Sequence, residues 1–113
     1  MKRRPPSAPS HLTTSTKAWW KSVCEDYALE PHHLRLLQLA GEAWDRAQAA
    51  REIIAVEGLV VTDDRKNLRA HPAVAIEKDA RTAFARLVRE LDLDTEAAPG
   101  SLRPPALRSN RRG

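Results

Sequence analysis

The sequence predicts a mainly α-helical fold: a three-helix body with a long central helix, a short β-hairpin or ordered loop between helices two and three, and flexible basic termini. Two observations favour helices. The 113 residues include only five aromatic side chains and four glycines, whereas β-sandwiches and barrels use aromatic strands and Gly-rich turns. Apolar residues also recur at helical spacing in three separate segments. A chain of this length forms one domain.

Helix one is expected to start at Thr13, whose hydroxyl can cap the first turn, and to end near Ala28. Leu12 directly before the cap is a candidate hydrophobic staple. Trp19 and Trp20 are adjacent and point about 100° apart on a helix. One can fill the core, while the other is either partly exposed or anchors a subunit interface, a setting in which Trp is enriched; we favour the interface.

Helix two is expected to run from Pro31, a favoured first helical position, to about Val56, with Gly58 left-handed just past its end. It would be roughly 39 Å long. Its apolar stripe is wide enough to cover more than helix one, so we expect a second chain to use the remainder. The stripe contains Leu34, Leu37, Ala40, Trp44, Ala47 and Ile54, widened by Leu36, Ala43 and Ala50.

A short β-prone run, Leu59 to Thr62, is followed by a polar turn at residues 63–67 and by Leu68. We predict a small hairpin or an ordered loop that leans on the helices, because a two-stranded hairpin is marginal alone. His71 and Pro72 open helix three, which fades at Asp92. Its predicted buried stripe is Ala73, Ile76, Ala80, Phe84, Leu87 and Leu91.

The net charge of +4 is divided unevenly, because all 15 acidic residues lie between Glu25 and Glu96. We predict a disordered basic Pro-rich arm at 1–12, a helical oligomerisation body at 13–96 and a disordered basic tail at 97–113. Such arms attract phosphate, although they can also serve only as solubilising tails. The predicted DNA-binding residues are Arg103, Arg108, Arg111 and Arg112, then Lys2, Arg3 and Arg4, and near the turn between helices one and two Lys17, Lys21 and Arg35.

No pattern of residues points to catalysis. Cys24 is the single cysteine, and the histidines form neither CxxC nor HxxxH spacing, so we predict no disulfide, no metal site and no cofactor. A Gly-rich phosphate loop is also missing from the sequence. No apolar run approaches the roughly 20 residues of a membrane span. We therefore expect a soluble intracellular protein that is not an enzyme.

Four short motifs and a closing run occur in an informative order: PSHLT at 9–13, WWK at 19–21, EGLVVT at 57–62, HPA at 71–73 and LVRELDL at 87–93. In this order and spacing the chain resembles a large family of bacteriophage terminase small subunits over roughly residues 9–94. The resemblance implies structural roles for Trp19, Trp20, Gly58, His71 and Pro72, while Trp44 adds a further large apolar group.

The resemblance also implies a function in the cytoplasm of the infected bacterial host. Small terminase subunits assemble into rings of identical chains and bind viral double-stranded DNA near the packaging start. They recruit and regulate the large subunit, which holds the ATPase and the nuclease, and they are not catalytic themselves.

Two departures from the family pattern carry structural expectations. Such sequences often have Gly in the loop at 63–67 and again at the position of Asp92. The missing Gly in the loop argues against a tight hairpin turn, and Asp92 predicts a less sharp end of helix three.

Two other functions remain open from the residues alone. A small helix-turn-helix DNA-binding regulator predicts a dimer, a palindromic site and base contacts from helix two. A helical protein-interaction module, such as an antitoxin-like partner, predicts no nucleic-acid role. Oligomer size, together with DNA affinity at two salt concentrations, separates these from a ring-forming packaging subunit.

Overall fold

The computed structural model describes residues 6–93 of the chain. Their secondary structure confirms the predicted fold class of three helices, the second of them long, and a two-stranded hairpin. The elements, in chain order, are α1 (Thr14–Asp26), α2 (Pro31–Glu57), β1 (Val60–Thr62), β2 (Leu68–Ala70) and α3 (Pro72–Leu91). The α2 and α3 helices pack along each other and share the largest interface between elements, whereas α1 makes a smaller contact with α2.

The start of α1 follows the sequence prediction, because the Thr13 hydroxyl accepts a 3.3 Å hydrogen bond from the Thr16 amide. The staple prediction for Leu12 is wrong. The staple partner would be the fourth helical residue, which is Lys17; Leu12 instead lies 4% exposed in the core, against Gly41 of α2. The helix also ends earlier than Ala28, since the backbone after Asp26 is extended (φ −132°, ψ 142°).

Residues 6–12, assigned from composition to the basic arm, pack on the helical body. The indole Nε1 of Trp20 donates a 2.9 Å hydrogen bond to the Pro6 carbonyl. Ala8 packs against the core cluster, and Leu12 is part of it. The Trp20 indole explains this packing. A buried indole requires apolar neighbours and a hydrogen-bond acceptor for its N–H, and residues 6–12 provide both.

The core has two different parts. At the end near α1, large buried side chains meet in one cluster: Leu12, Trp20, Val23, Leu37 and Leu91. Along the rest of the α2–α3 seam the buried residues are alanines, including Ala47, Ala50, Ala73 and Ala80. Small side chains bring the two helices close together, so larger neighbours are left at the edges. Ile76 (46% exposed) was predicted in the buried stripe of helix three, and this part of the prediction is wrong. Trp44 (42% exposed) belongs to the part of the helix-two stripe that is left uncovered within the chain.

The hairpin between α2 and α3 has a tight turn without glycine. Its strands are antiparallel, with Val60 opposite Ala70 and Thr62 opposite Leu68. Lys66 takes the left-handed conformation (φ 66°). The expectation of a looser turn is wrong because the Asp63 carboxylate organises the turn, accepting hydrogen bonds from two backbone amides and from the side chain of a strand residue: Arg65 N, Asn67 N and Arg69 Nε at 2.9, 2.8 and 2.7 Å.

Both ends of α3 are sharply defined. His71 Nδ1 accepts a 3.0 Å hydrogen bond from the Ala73 amide, as an N-cap does. Because Nδ1 accepts, the proton lies on Nε2, which donates to Glu57 at 2.7 Å and links α2 to α3. At the other end, Asp92 is left-handed (φ 60°, ψ 38°), and its N–H bonds to the last-turn carbonyls. The prediction of a less sharp end for α3 is therefore wrong, because Asp can adopt the left-handed conformation.

Candidate assembly and nucleic-acid surfaces

The two adjacent tryptophans have different surroundings. Trp20 is 4% exposed and lies in the core cluster. Trp19 is half-buried, with its ring centroid 5.8 Å from that of Phe84 on α3. The separation of roles that the helical geometry predicts is therefore present, while the interface role of Trp19 stays a prediction.

An apolar groove opens where α1, α2 and α3 meet. Trp44 of α2 lies over Phe84, with ring centroids 5.0 Å apart and planes tilted by 58°. Together with Trp19 these rings line a groove of about 370 Å³, completed by Ser15 and Thr16. We call it the aromatic groove. Sequence periodicity placed Trp44 and Phe84 in apolar stripes, but it did not show that their rings lie beside that of Trp19 at the surface.

A second apolar surface, formed by exposed side chains, lies at the hairpin. Val60 and Leu68 are 54% and 73% exposed. Both belong to the same face of the hairpin, because side chains alternate along a strand and Val60 and Thr62 lie opposite Ala70 and Leu68. Val56 (84% exposed) and Leu59 (63% exposed) are close in sequence. We call these four residues the hairpin patch.

Three carboxylates lie on one side of α2, two of them half-buried against the segment that precedes and starts α1. Glu42, Asp45 and Glu52 are spaced by three and seven residues and so share one side of the helix. A hydrogen bond from Gln38, and then one from His11, lowers the pKa of Glu42. Burial raises the pKa of Asp45, but hydrogen bonds from Thr16 and from Thr13 outweigh it and leave the pKa below its ordinary value.

The predicted DNA-binding cations fall into two groups. Lys17 is half-buried on α1, whereas Lys21 on α1 and Arg35 in the first turn of α2 are exposed. The remaining seven lie outside the described residues: Lys2, Arg3, Arg4, Arg103, Arg108, Arg111 and Arg112. The surface of residues 6–93 thus contains only the minor part of the predicted phosphate-binding set.

Further exposed cations were not singled out from the sequence as binding residues. Lys78, Arg86 and Arg89 on α3 are exposed. Within the described part of the chain, their side chains have no carboxylate within 4.0 Å. In contrast, Arg81 is engaged by Glu77 at 3.2 Å, an i,i+4 pair. Free cations on one helix are a second, weaker candidate for phosphate contact.

Two observations on the described residues concern metal binding and thiol reactivity. Between residues 6 and 93, no group of three or more His, Cys, Asp or Glu is placed to hold a metal ion. Cys24 packs partly against the core, and burial raises the pKa of its thiol, which disfavours the reactive thiolate. Over the same range, no helix is both long and apolar enough to span a bilayer.

Comparison with known families identifies the family of the chain. A family model described as the phage terminase small subunit matches residues 16–100, about three quarters of the chain. The chain belongs to the phage terminase small subunit family. This confirms the resemblance carried by the WWK, EGLVVT and HPA motifs, all of which lie within the match. Comparisons with curated proteins and with solved structures give no match.

The family match covers most of the helical body of this terminase small subunit but not the arginines near its C-terminus. The matched region includes the hairpin patch and every residue of the aromatic groove except Ser15. It excludes the arginines of residues 103–112. The family pattern thus covers the helical body, and most of the predicted phosphate-binding cations lie beyond it.

Proposed function

We propose that this chain assembles into a homo-oligomeric ring, binds viral double-stranded DNA, and recruits and regulates the terminase large subunit to start genome packaging in the infected cell. The observation that carries the proposal is the family match over residues 16–100. Exposed apolar side chains at the hairpin patch and in the aromatic groove support association, because large exposed apolar surfaces mark interaction sites.

DNA binding is assigned mainly to the basic terminal segments. Residues 97–113 carry four arginines and no carboxylate side chain: Arg103, Arg108, Arg111 and Arg112. Each phosphate neutralised contributes about 0.9 to the slope of log affinity against log salt. Four contacts would therefore contribute between three and four to that slope.

The length and the packing of α2 disfavour the alternative of a helix-turn-helix regulator. In that class the second helix enters the major groove. Here α2 is 27 residues long, and its middle packs against the start of α1, where Asp45 accepts hydrogen bonds from Thr13 and Thr16. A helix of this length, covered at its middle by α1, is poorly suited to lie in the major groove.

The experiment combines mass with salt-dependent DNA binding. The full chain is measured by light scattering behind a sizing column, and its DNA affinity is measured at several salt concentrations. A variant with the four tail arginines changed to Gln is expected to keep the wild-type mass and to lose most of the salt slope. A matched variant carries Gln at three exposed α3 positions: Lys78, Arg86 and Arg89.

The outcomes separate the parts of the proposal. An unchanged affinity in the tail variant, with a loss in the α3 variant, would transfer the DNA site to the helical body. A dimeric wild type with a palindromic binding preference would favour the regulator. A monomer that shows no salt-dependent DNA binding would favour a protein-interaction module.

A further inference from the structure

Residues 6–12, which we call the N-terminal strap, run back along α1 from the start of that helix. The strap precedes the cap at Thr13, and at its far end the Pro6 carbonyl accepts the 2.9 Å hydrogen bond from the indole of Trp20. Trp20 follows Thr13 by seven positions, which is about 10 Å along a helix axis. Between these two points Ala8 packs against the core cluster. The strap is therefore antiparallel to α1 and leads toward the C-terminal half of that helix.

The C-terminal limit of the described chain is tied to the same helix. The Tyr27 hydroxyl donates a hydrogen bond to the Leu93 carbonyl. Tyr27 follows Trp20 by seven residues, so the two side chains lie on one side of α1, about 10 Å apart along its axis. Leu93 and Ala8 also pack against the one cluster that contains Trp20. We call this place, where the described chain begins at Pro6 and ends at Leu93, the shared exit.

The shared exit and the hairpin lie at opposite ends of α2. The C-terminal end of α1 is joined to the start of α2 by residues 27–30, whereas the hairpin follows the end of α2. The 27 residues of α2 span about 40 Å. A partner bound close to the shared exit is therefore remote from the hairpin patch.

The positive charge of the chain lies beyond the shared exit. Residues 6–93 contain 12 Lys and Arg against 13 Asp and Glu. Residues 1–5 add three cations and no acid, while residues 94–113 add four arginines and two acids. The helical body supplies no excess of positive charge, so the attraction for a polyanion comes from these two segments.

Chain length limits how far these cations can be from the shared exit. Lys2, Arg3 and Arg4 are two to four positions from Pro6, a reach of at most about 14 Å. Arg103 is ten positions from Leu93, and its reach of at most about 36 Å is shorter than α2. The three N-terminal cations in particular are restricted to the surroundings of α1.

We propose that Trp20 and Tyr27 bring the two basic segments together at the shared exit, where both bind the phosphates of one stretch of duplex DNA. The inference rests on the DNA binding of the proposed function and adds its location. A DNA duplex carries one phosphate per about 1.7 Å of axis, so about 10 Å of duplex presents about six phosphates. That number matches the seven cations of the two segments, and in this arrangement Trp20 and Tyr27 are positioning residues.

Single cysteines in the full chain locate the DNA. In a Cys24→Ala background, Ser7→Cys places a thiol beside Pro6, and Thr62→Cys places one on the hairpin as the matched control; both native residues are exposed. Each protein is labelled with a benzophenone photocrosslinker and irradiated with duplex DNA. The crosslinking yield is expected to be clearly higher at position 7 than at position 62. Equal yields, or a higher yield on the hairpin, overturn the proposal.

A second measurement tests the positioning role of Trp20. Trp20→Phe keeps an aromatic ring in the core but removes the donor to Pro6. It is expected to weaken DNA binding by up to about fivefold, because the anchor cannot contribute more than the net free energy of its hydrogen bond. In a chain with Lys2, Arg3 and Arg4 changed to Gln, Trp20→Phe is expected to have no further effect. An equal loss in both backgrounds would show that Trp20 acts through the fold alone and would overturn its positioning role.

Failure of this inference differs from failure of the proposed function. A wild type without salt-dependent DNA binding overturns both. Salt-dependent binding with a crosslink from the hairpin and none from position 7 leaves the proposed function in place and overturns only the location at the shared exit.

Discussion

The Thr16 hydroxyl of α1 donates a 2.6 Å hydrogen bond to the carboxylate of Asp45 on α2. The same carboxylate accepts from the Thr13 amide and hydroxyl, each at 2.9 Å. Thr16 is 2% exposed, so its hydroxyl depends on this acceptor. One acidic side chain thus fixes the start of α1 against the middle of α2, directly beside the aromatic groove.

We expect Asp45→Ala to lower the free energy of unfolding by about 1–3 kcal/mol, because it leaves a buried hydroxyl and a helix start without their acceptor. Glu52→Ala, on the same side of α2 but exposed, is the control and should change it by less than about 0.5 kcal/mol. Chemical denaturation at a fixed protein concentration measures both. Equal effects of the two substitutions would contradict this role of Asp45.

The same carboxylate predicts a pH dependence of stability. The hydrogen bonds keep the pKa of Asp45 in the folded state below its ordinary value, and the unfolded value is about 3.9. The contribution of Asp45 is therefore complete above pH about 4–5 and is lost as the pH falls through the lower, folded pKa. Thermal unfolding between pH about 6 and 2 should show a smaller loss for Asp45→Asn than for the wild type. Parallel curves for the two proteins would argue against it.

Close packing of α1 on α2 depends on Gly41. A Cβ at this position would lie 3.0 Å from Thr16 Cγ2 and 3.3 Å from Leu12 Cδ1. Gly41→Val is therefore expected to lower the free energy of unfolding by about 1–3 kcal/mol through overpacking. Ala49→Val places the same side chain at an exposed site of α2 and should cost only about 0.5 kcal/mol of helix propensity. A Gly41→Val protein as stable as the control would show that the helices separate without cost.

His71 combines an N-cap with a link between helices. Its Nδ1 accepts from the Ala73 amide, and its Nε2 donates to Glu57. We expect His71→Ala to lower the free energy of unfolding by about 1–2 kcal/mol, and His71→Asn to cost less, because Asn keeps the capping oxygen. Denaturant unfolding of the two variants measures the difference. If Asn is no better than Ala, the link to Glu57 rather than the cap is the contribution that matters.

Local signals explain why most of the fold could be predicted from the sequence. Apolar spacing and cap residues such as Thr13, Pro31 and the His71-Pro72 pair act within one or two helical turns, and all of them stand at helix starts in the structure. The exposure of Ile76 could not be predicted in this way, because it depends on how closely the alanine seam brings α2 and α3 together. Periodicity predicts which side of a helix is apolar, but it does not predict how close the neighbouring helix packs.

The candidate surfaces depend on contacts between distant residues. Trp19, Trp44 and Phe84 meet from three different helices, and no local pattern encodes that meeting. The packing of residues 6–12 likewise depends on a hydrogen bond between Trp20 and Pro6, fourteen positions apart. Composition predicted a basic arm there because it reflects the content of charge and proline. It could not show that Trp20 would bind the Pro6 carbonyl or that Ala8 would pack against the core.

The glycine-free hairpin turn gives a last test, at Lys66. A non-glycine residue in the left-handed conformation is strained by about 1–2 kcal/mol, and Lys66 has φ 66°. Lys66→Gly relieves this strain, although the greater freedom of Gly in the unfolded chain offsets about 0.5–1 kcal/mol. We expect a net gain of about 0.5 kcal/mol, or roughly 2–4 °C in Tm. Asn67→Gly, the control at the next position, has no strain to relieve and should lower Tm, so a lower Tm for Lys66→Gly as well would show that the Asp63 hydrogen bonds already absorb the strain.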